Sequence, residues 1–405
     1  MTSNILVTEL RLKNFLSFGD QEQVIPLSPL NVLIGPNASG KSNLIEAFRL
    51  LRTTPKNLGV AIREGGGIKE WLWKGEKTSI AASIEAVINY PKSHIPLRYR
   101  LAFTATGQRF EIVDEAIENA RPTTEQDAEP YFYYRYQNGH PVLNVVNTAS
   151  ETQPKISQSR TEHRLRREDV HPEKSILSQR KDIDIYPEIT FLGNQFENMR
   201  MFMGWDTGKE SQMRLPQTTD APNDFLLENA SNLGLILNDL FARSKTRQLI
   251  LDKLQDFYDT LEDITTKVQG GTIQVFAQEK GLQEAIPATR LSDGTLQYLC
   301  LLSILCHPSP PPLICIEEPE IGLHPDILTG LAELLVDASQ HTQLIITTHS
   351  DILVSALTDT PETVLVCDKQ ENGTFLKRLD KDTLEKWLEH YSLGDLWLMG
   401  EIGGT

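Results

Sequence analysis

No apolar run in this chain is long enough to cross a bilayer. The longest, such as Leu299 to Cys306, fall far short of the roughly 20 residues a membrane helix needs. The first residues also lack the basic-then-apolar order of a secretory leader. These two absences give the expectation of a cytoplasmic protein with no membrane partner. Cysteine is scarce. Cys300, Cys306, Cys315 and Cys367 show no metal-type pairing, and three of them lie in strongly apolar runs, so buried free thiols are expected rather than disulfides or zinc ligands. Positive charge is in deficit: 39 Lys and Arg against 55 Asp and Glu give a formal net charge of −16. That balance argues against a surface coated in positive potential, while a local basic patch on an acidic chain can still bind nucleic acid. There is no internal repeat, and no heptad run long enough for an extended coiled coil.

What is present suits a full globular core. At 405 residues and 40% apolar composition, the chain forms one large domain or two closely joined lobes. Residues 1–34 read as two or three strands, the last being the apolar run Leu30 to Ile34. That run feeds a glycine loop, and Asn43 to Leu51 follows with Leu44, Ile45, Ala47, Phe48 and Leu51 at helical spacing. From about 78 to 146, β-branched and aromatic runs alternate with turn signals, which predicts an antiparallel sheet. Tyr131, Tyr133, Tyr134 and Tyr136 either pack that sheet or stack bases; packing is favoured, because only Arg135 interleaves them. Residues 147–182 are polar and charged. They read as a solvated insertion or as a phosphate-backbone surface carried by Arg160, Arg164, Arg166, Arg167, Lys174, Arg180 and Lys181. Residues 183–272 are expected to form a helical lobe, with Leu233, Ile236, Leu240, Ile250, Leu254, Phe257 and Leu261 recurring at three or four residues. From 273 onward, strand and helix alternate to about Val366.

Four motifs carry chemistry. Gly35, Pro36, Asn37, Ala38, Ser39, Gly40, Lys41 and Ser42 satisfy the phosphate-loop pattern and are followed by Asn43. In that pattern backbone N–H groups wrap phosphates, Lys41 neutralises the β and γ oxygens, and the Ser42 hydroxyl coordinates Mg²⁺. The run Leu313 to Ile316 ends in Glu317 and Glu318, where such an ATPase needs a magnesium-side acid and a water-activating acid. As strand neighbours, their side chains should diverge. The run Leu344 to Thr348 ends in His349, placed to bond a γ-phosphate or orient water. Leu291, Ser292, Asp293 and Gly294 open a further helix: Ser292 is a helix cap, or with Gly294 a second anion-binding surface.

These four elements, in this order, resemble the ABC-type ATPase heads. Gly35–Ser42 stands as Walker A, Leu291–Thr295 as the signature, Leu313–Glu318 as Walker B and His349 as the H-loop. Lys41 and Ser292 lie 251 residues apart, far wider than in transporter subunits, so the chain looks more like the RecF, SMC and OLD branch. Leu10-Arg11-Leu12-Lys13-Asn14-Phe15 is similar to that branch, and Glu317 to Pro325 looks like the predicted AAA-type ATPases related to OLD. The resemblance implies an α/β P-loop NTPase fold: an ABC-type head with a mixed central sheet, an antiparallel β-subdomain and a helical lobe. It implies ATP and Mg²⁺ as cofactors, Glu318 and His349 as catalytic residues, and Ser42 and Glu317 at the metal. It also implies a homodimer in which Leu291, Ser292, Asp293 and Gly294 of one copy complete the other's site. The expected role is an ATP-hydrolysing switch in DNA transactions or anti-phage defence, acting on DNA or through a partner effector such as a nuclease. A transporter ATPase subunit, or an ATP-gated scaffold with little hydrolysis, is the competing reading. Three departures stand out: Glu317 where many members carry Asp, Leu16 where a basic residue often follows Asn-Phe, and a Q-loop whose candidate is Gln195. Only 56 residues follow His349, too few for the Toprim nuclease domain of OLD proteins. Asp380-Lys381-Asp382 is therefore expected to be a helix start with Asp382 as cap, and Trp387 to Trp397 an amphipathic end packed on the head.

Overall fold

A computed structural model describes residues 5–75, 81–124, 126–137, 140–146 and 160–403. The part of the 147–182 segment up to 159, and the side chain of Arg167, lie outside the described residues.

The apolar runs of the sequence become the strands of one six-stranded sheet. Its order is Arg200–Phe202, Leu313–Glu317, Gln343–Thr347, Leu30–Ile34, Val364–Gln370 and Gly373–Arg378. The first five are parallel and the last is antiparallel. Strands covered on both faces need side chains apolar on both, which explains unbroken runs such as Leu30–Ile34, buried at every position. The one polar member, Asn31, is satisfied: it accepts from Ser28 N at 2.9 Å and Arg378 at 2.6 Å, and donates to Leu344 O at 3.1 Å.

The twofold alternation of the strands sorts these side chains into two cores. Leu33, Cys315, Ile345 and Leu365 point to one face, where they meet the helix Lys41–Thr53 and the interior of a second sheet. Val32, Ile34, Ile314, Ile316, Leu344 and Ile346 point to the other, against the helices Asp293–Leu305 and Leu328–Ser339. The second sheet has eight antiparallel strands in the order Gln23–Pro26, Val7–Lys13, Ala82–Ile88, Leu97–Thr106, Arg109–Asn119, Phe132–Gln137, His140–Val146 and Arg160–Arg164.

Several expectations need correction. The first two strands, Val7–Lys13 and Gln23–Pro26, belong to the antiparallel sheet and not to the sheet that carries the phosphate loop. Within the polar segment 147–182, Arg160–Arg164 pairs with His140–Val146, and the helix Ile176–Gln179 buries Ile176 and Leu177. Residues 183–272 are not all helix. They hold the helices Pro187–Glu197, Leu233–Phe241 and Ser244–Phe257, but Leu261–Gln269 is a strand paired with Thr272–Glu279 in a third, small sheet. Tyr134 is fully buried and Tyr133 and Tyr136 nearly so, which leaves Tyr131 alone with a free face. At the tail, Asp380 and not Asp382 occupies the cap of the helix Lys381–Leu388, taking a 2.6 Å bond from Thr383. Of the amphipathic end, Leu393, Leu396 and Trp397 are buried, whereas Trp387 and Tyr391 are exposed. The four cysteines are free. Among the described residues, no helix is long and apolar enough to cross a membrane.

Candidate active site

The strand Leu30–Ile34 ends at the glycine loop, and the helix Lys41–Thr53 begins at its far side. Two glycines are there because nothing else fits. A Cβ on Gly35 would lie 2.2 Å from the Cys367 carbonyl, and one on Gly40 would lie 2.2 Å from Thr374 Oγ1; both residues also have positive φ. The loop closes on itself through Ser39 N to Pro36 O at 3.2 Å. Asn37, Ala38 and Ser42 form its exposed rim, with Asn43 half-buried behind them. The free N–H groups of the first helical turn therefore open onto a solvent-facing cradle suited to phosphate.

Lys41 is buried beneath this cradle. Its Nζ donates to Gly35 O at 2.7 Å and Pro36 O at 3.0 Å, so the ammonium is already held where the loop turns. Burial pulls its pKa down, and the nearby carboxylates of Glu318 and Glu320 oppose that shift.

The neighbouring strands bring their ends to the same edge. Glu317 is the last residue of its strand, and burial raises its pKa while the Ser42 hydroxyl beside it lowers it. Its Oε1 is buried with no hydrogen-bond partner. A hydroxyl beside a desolvated carboxylate oxygen that has no donor is a hard-oxygen pair, which fits a Mg²⁺ ion that completes its shell with phosphate and water. Glu318 lies past the strand end, in the left-handed region with φ 44°, and its N–H is fixed by Thr347 O at 2.9 Å. This backbone turn, more than strand alternation, sets it apart from Glu317. His349 follows the next strand, and its Nε2 stands 3.5 Å from Glu318 Oε1. Both side chains are just over one-third exposed, in reach of solvent.

The signature residues stand at the start of a different helix. Ser292 caps the helix Asp293–Leu305, accepting from Thr295 N at 3.1 Å, so the capping geometry is present. Gly294 is pressed against Gly322, whose carbonyl would be 2.7 Å from an added Cβ. Asp293 is exposed and paired with Arg214, while Leu291 is buried. Among the described residues, and apart from the helix's own ladder, Leu291–Gly294 make their hydrogen bonds with Arg214, Ala288, Thr295 and Leu296 and none with the Gly35–Ser42 loop of the same chain.

Gln195 is not brought to the site. Gly193 packs near Pro55 and Glu197 pairs with Lys56, which places its helix at the far end of Lys41–Thr53, about 20 Å from the loop at 1.5 Å per residue. The segment that does arrive at the site's edge is Met203–Trp205, because the strand Arg200–Phe202 runs parallel to Leu313–Glu317 and ends with Phe202 beside Ile316.

Three groups of supporting residues have no signature in local spacing. Thr374 Oγ1 hydrogen-bonds both Ser39 O and Ser17 Oγ at 2.7 Å, and Asn43 Nδ2 donates to Ser17 Oγ at 2.6 Å. Arg214 is buried and donates to Leu291 O at 2.6 Å, Ala288 O at 3.2 Å and Thr207 O at 2.9 Å. Glu320 bonds the turn that carries His349. Beside the loop, an open cleft of about 380 Å³ is lined by Leu16, Ser17, Asn43, Leu72, Trp73 and Lys369.

Among the arginines of the polar segment, Arg164 and Arg166 are largely exposed and each stands near a glutamate, Glu162 at 3.3 Å and Glu168 at 3.9 Å. Arg160 instead turns inward, bonding Glu188 at 2.7 and 3.0 Å and lying over the Tyr133 ring.

Residues 30–355 match the family described as "AAA domain, putative AbiEii toxin, Type IV TA system". The chain is 20% identical over 387 residues to the ATP/GTP phosphatase of Helicobacter pylori (strain ATCC 700392 / 26695), covering 92% of this chain and 95% of that protein. It is 28% identical over 194 residues to the Old nuclease of Escherichia phage P2, over 44% of this chain and 32% of the nuclease, so it spans about a third of that relative. In fold it is similar to an SMC head bound to the C-winged helix domain of ScpA, with TM-score 0.55 and 14% identity over 94% of this chain and 99% of the other. It is similar too to the Pyrococcus furiosus Smc head with an extended coiled coil, bound to the C-terminal domain of ScpA, with TM-score 0.54 and 13% identity over 95% and 98%. With the phosphate loop, the paired glutamates and the histidine gathered at one sheet edge, the chain belongs to this AAA-domain family and is an ATPase, with a fold similar to that of SMC heads.

Proposed function

We propose that two copies of this chain close around ATP, and that hydrolysis reopens them. The observation that carries this reading is the split arrangement: Lys41, Glu317, Glu318 and His349 converge on one edge, while Ser292 and Gly294 of the same chain make their contacts with Thr295 and Gly322 and none with the Gly35–Ser42 loop. A second copy supplies Ser292 and Gly294 to the exposed face of the loop. Lys41 leaves its two backbone carbonyls to neutralise the β and γ phosphates, and the first turn of Lys41–Thr53 donates its free N–H groups. Base and ribose lie in the cleft by Trp73 and Leu16. Glu318 takes the proton of the attacking water, and His349 orients that water and the γ-phosphate. Ser42 and Glu317 would hold Mg²⁺, which would supply charge neutralisation on the phosphates.

The closed and open forms make the chain a nucleotide switch, acting in DNA transactions or anti-phage defence. The relatives support that direction: one is a phage nuclease, and the two SMC heads are bound to ScpA domains. DNA or an effector protein such as a nuclease would be the partner, and Arg164 and Arg166 the DNA contacts. Glu318→Gln tests the reading. Turnover should fall by about 100-fold or more while ATP then traps a stable dimer. An unchanged rate, or a chain that stays monomeric with ATP, sinks it.

A further inference from the structure

Glu318 and His349 sit just past the ends of different strands, yet their 3.5 Å approach needs both turns fixed relative to each other. One side of the brace is backbone: Glu318 N donates to Thr347 O at 2.9 Å and contacts Thr347 Oγ1 at 3.2 Å. The other side is Glu320. Its Oε1 accepts from the backbone N–H of His349 and from Thr348 Oγ1, both at 2.7 Å. Thr348 is fully buried, and its hydroxyl in turn accepts from Ser350 N at 3.0 Å. Ser350 then caps the helix Asp351–Ser355 through Leu353 N at 3.2 Å. One carboxylate oxygen thus holds the whole turn from Thr348 to Ser350.

The other oxygen, Oε2, is buried with no partner. A half-satisfied buried carboxylate is costly, and the bonds that hold Glu320 in place are its two to the His349 turn. Glu320 also follows Pro319, which is buried and fixes φ there, so the residue is delivered at a constant offset from Glu318.

We infer that Glu320 is a positioning residue for hydrolysis: it holds His349 against Glu318. This rests on the proposed roles of Glu318 and His349. The test is a cycle of Glu320→Ala, His349→Ala and the double variant, with turnover and ATP affinity measured on the full chain, and with Glu320→Gln as the conservative control. Glu320→Ala should lower kcat by about 10-fold to 100-fold with no loss of ATP affinity, since the change removes a negative charge near Lys41. The double variant should be no slower than His349→Ala alone, because the two changes remove one effect. Glu320→Gln keeps an acceptor oxygen and should stay within a few-fold of wild type. Losses that multiply in the double variant overturn the inference, as does ATP affinity that falls in step with kcat, or a Glu320→Gln chain as slow as Glu320→Ala. If Glu320→Ala does not fold, Thr348→Val in the same cycle asks the same question from the other end of the bond. Should His349→Ala and Glu318→Gln both turn over at the wild-type rate, the hydrolysis roles themselves fall, a result separate from any multiplicative cycle.

Discussion

The Thr374 hydroxyl lies 2.7 Å from the Ser39 carbonyl, joining an edge strand of the central sheet to the phosphate loop across 335 positions of sequence. It leaves the loop backbone with one carbonyl satisfied by a side chain that local sequence could not supply. Thr374→Val keeps the shape and removes the bond. The chain should remain folded, losing about 1–3 kcal/mol for the stranded carbonyl, and its Kd for ATP should rise by roughly tenfold as the loop relaxes. Calorimetric titration with ATP, beside thermal unfolding, checks both numbers; an unaltered Kd would show that the loop holds its shape without the strap.

The composite arrangement predicts complementation. Lys41→Ala disables a copy's own loop, and Ser292→Arg disables what it offers a partner, so each alone should be inactive. Mixed in equal amounts, about half of the dimers are mixed and each holds one intact site, which should restore roughly a quarter of wild-type ATPase activity. A mixture as dead as its parts would argue that each copy works by itself.

Arg214 holds Leu291 O, Ala288 O and Asp293, and so shapes the signature turn without facing the phosphate loop. Arg214→Met in the Glu318→Gln background should bind ATP within about twofold of its parent yet fail to dimerise. Light scattering with ATP reads this directly, and a normal dimer would show the turn is shaped by other contacts.

Glu115 carries a stability prediction. It is buried and accepts from Tyr99 OH at 2.8 Å, Ser175 and Ile176 N at 2.9 Å. Burial outweighs these bonds and pushes its pKa up to about 7. A carboxyl whose folded pKa is raised binds its proton more tightly when folded. Its contribution is therefore full below about pH 4.5 and is lost as pH rises through about 7. The stability of wild type relative to Glu115→Gln should accordingly fall between about pH 5 and pH 8, by up to roughly 3 kcal/mol. Urea unfolding of both chains across that range tests it; a constant difference would place the pKa of Glu115 in the ordinary range.

Much of the site was legible because it is local. A buried parallel strand shows as an unbroken apolar run, and Leu30–Ile34, Leu313–Ile316 and Leu344–Thr348 each hand over directly to the residues that do chemistry. Glu320, Thr374 and Arg214 were invisible for the converse reason, since each acts on a partner between 28 and 335 positions away. Gln195 misled because a glutamine near an apolar run says nothing of which end of a helix it joins. Leu261 extended the helical spacing of Leu254 and Phe257, yet the chain is already in a strand there, and the β-branched Ile264, Thr265, Thr266 and Val268 carry that signal.

The strand that delivers the phosphate loop has Gln343–Thr347 on one side and Val364–Gln370 on the other, both from far along the chain. During synthesis, a ribosome that has released Gly35 to Ser42 has released only the letters of a nucleotide site. Its neighbours, and the Thr374 hydroxyl that fastens it, emerge more than 300 residues later. The shape of the loop is thus completed late, and a chain stalled before Gln343 carries an intact motif without the strands that position it.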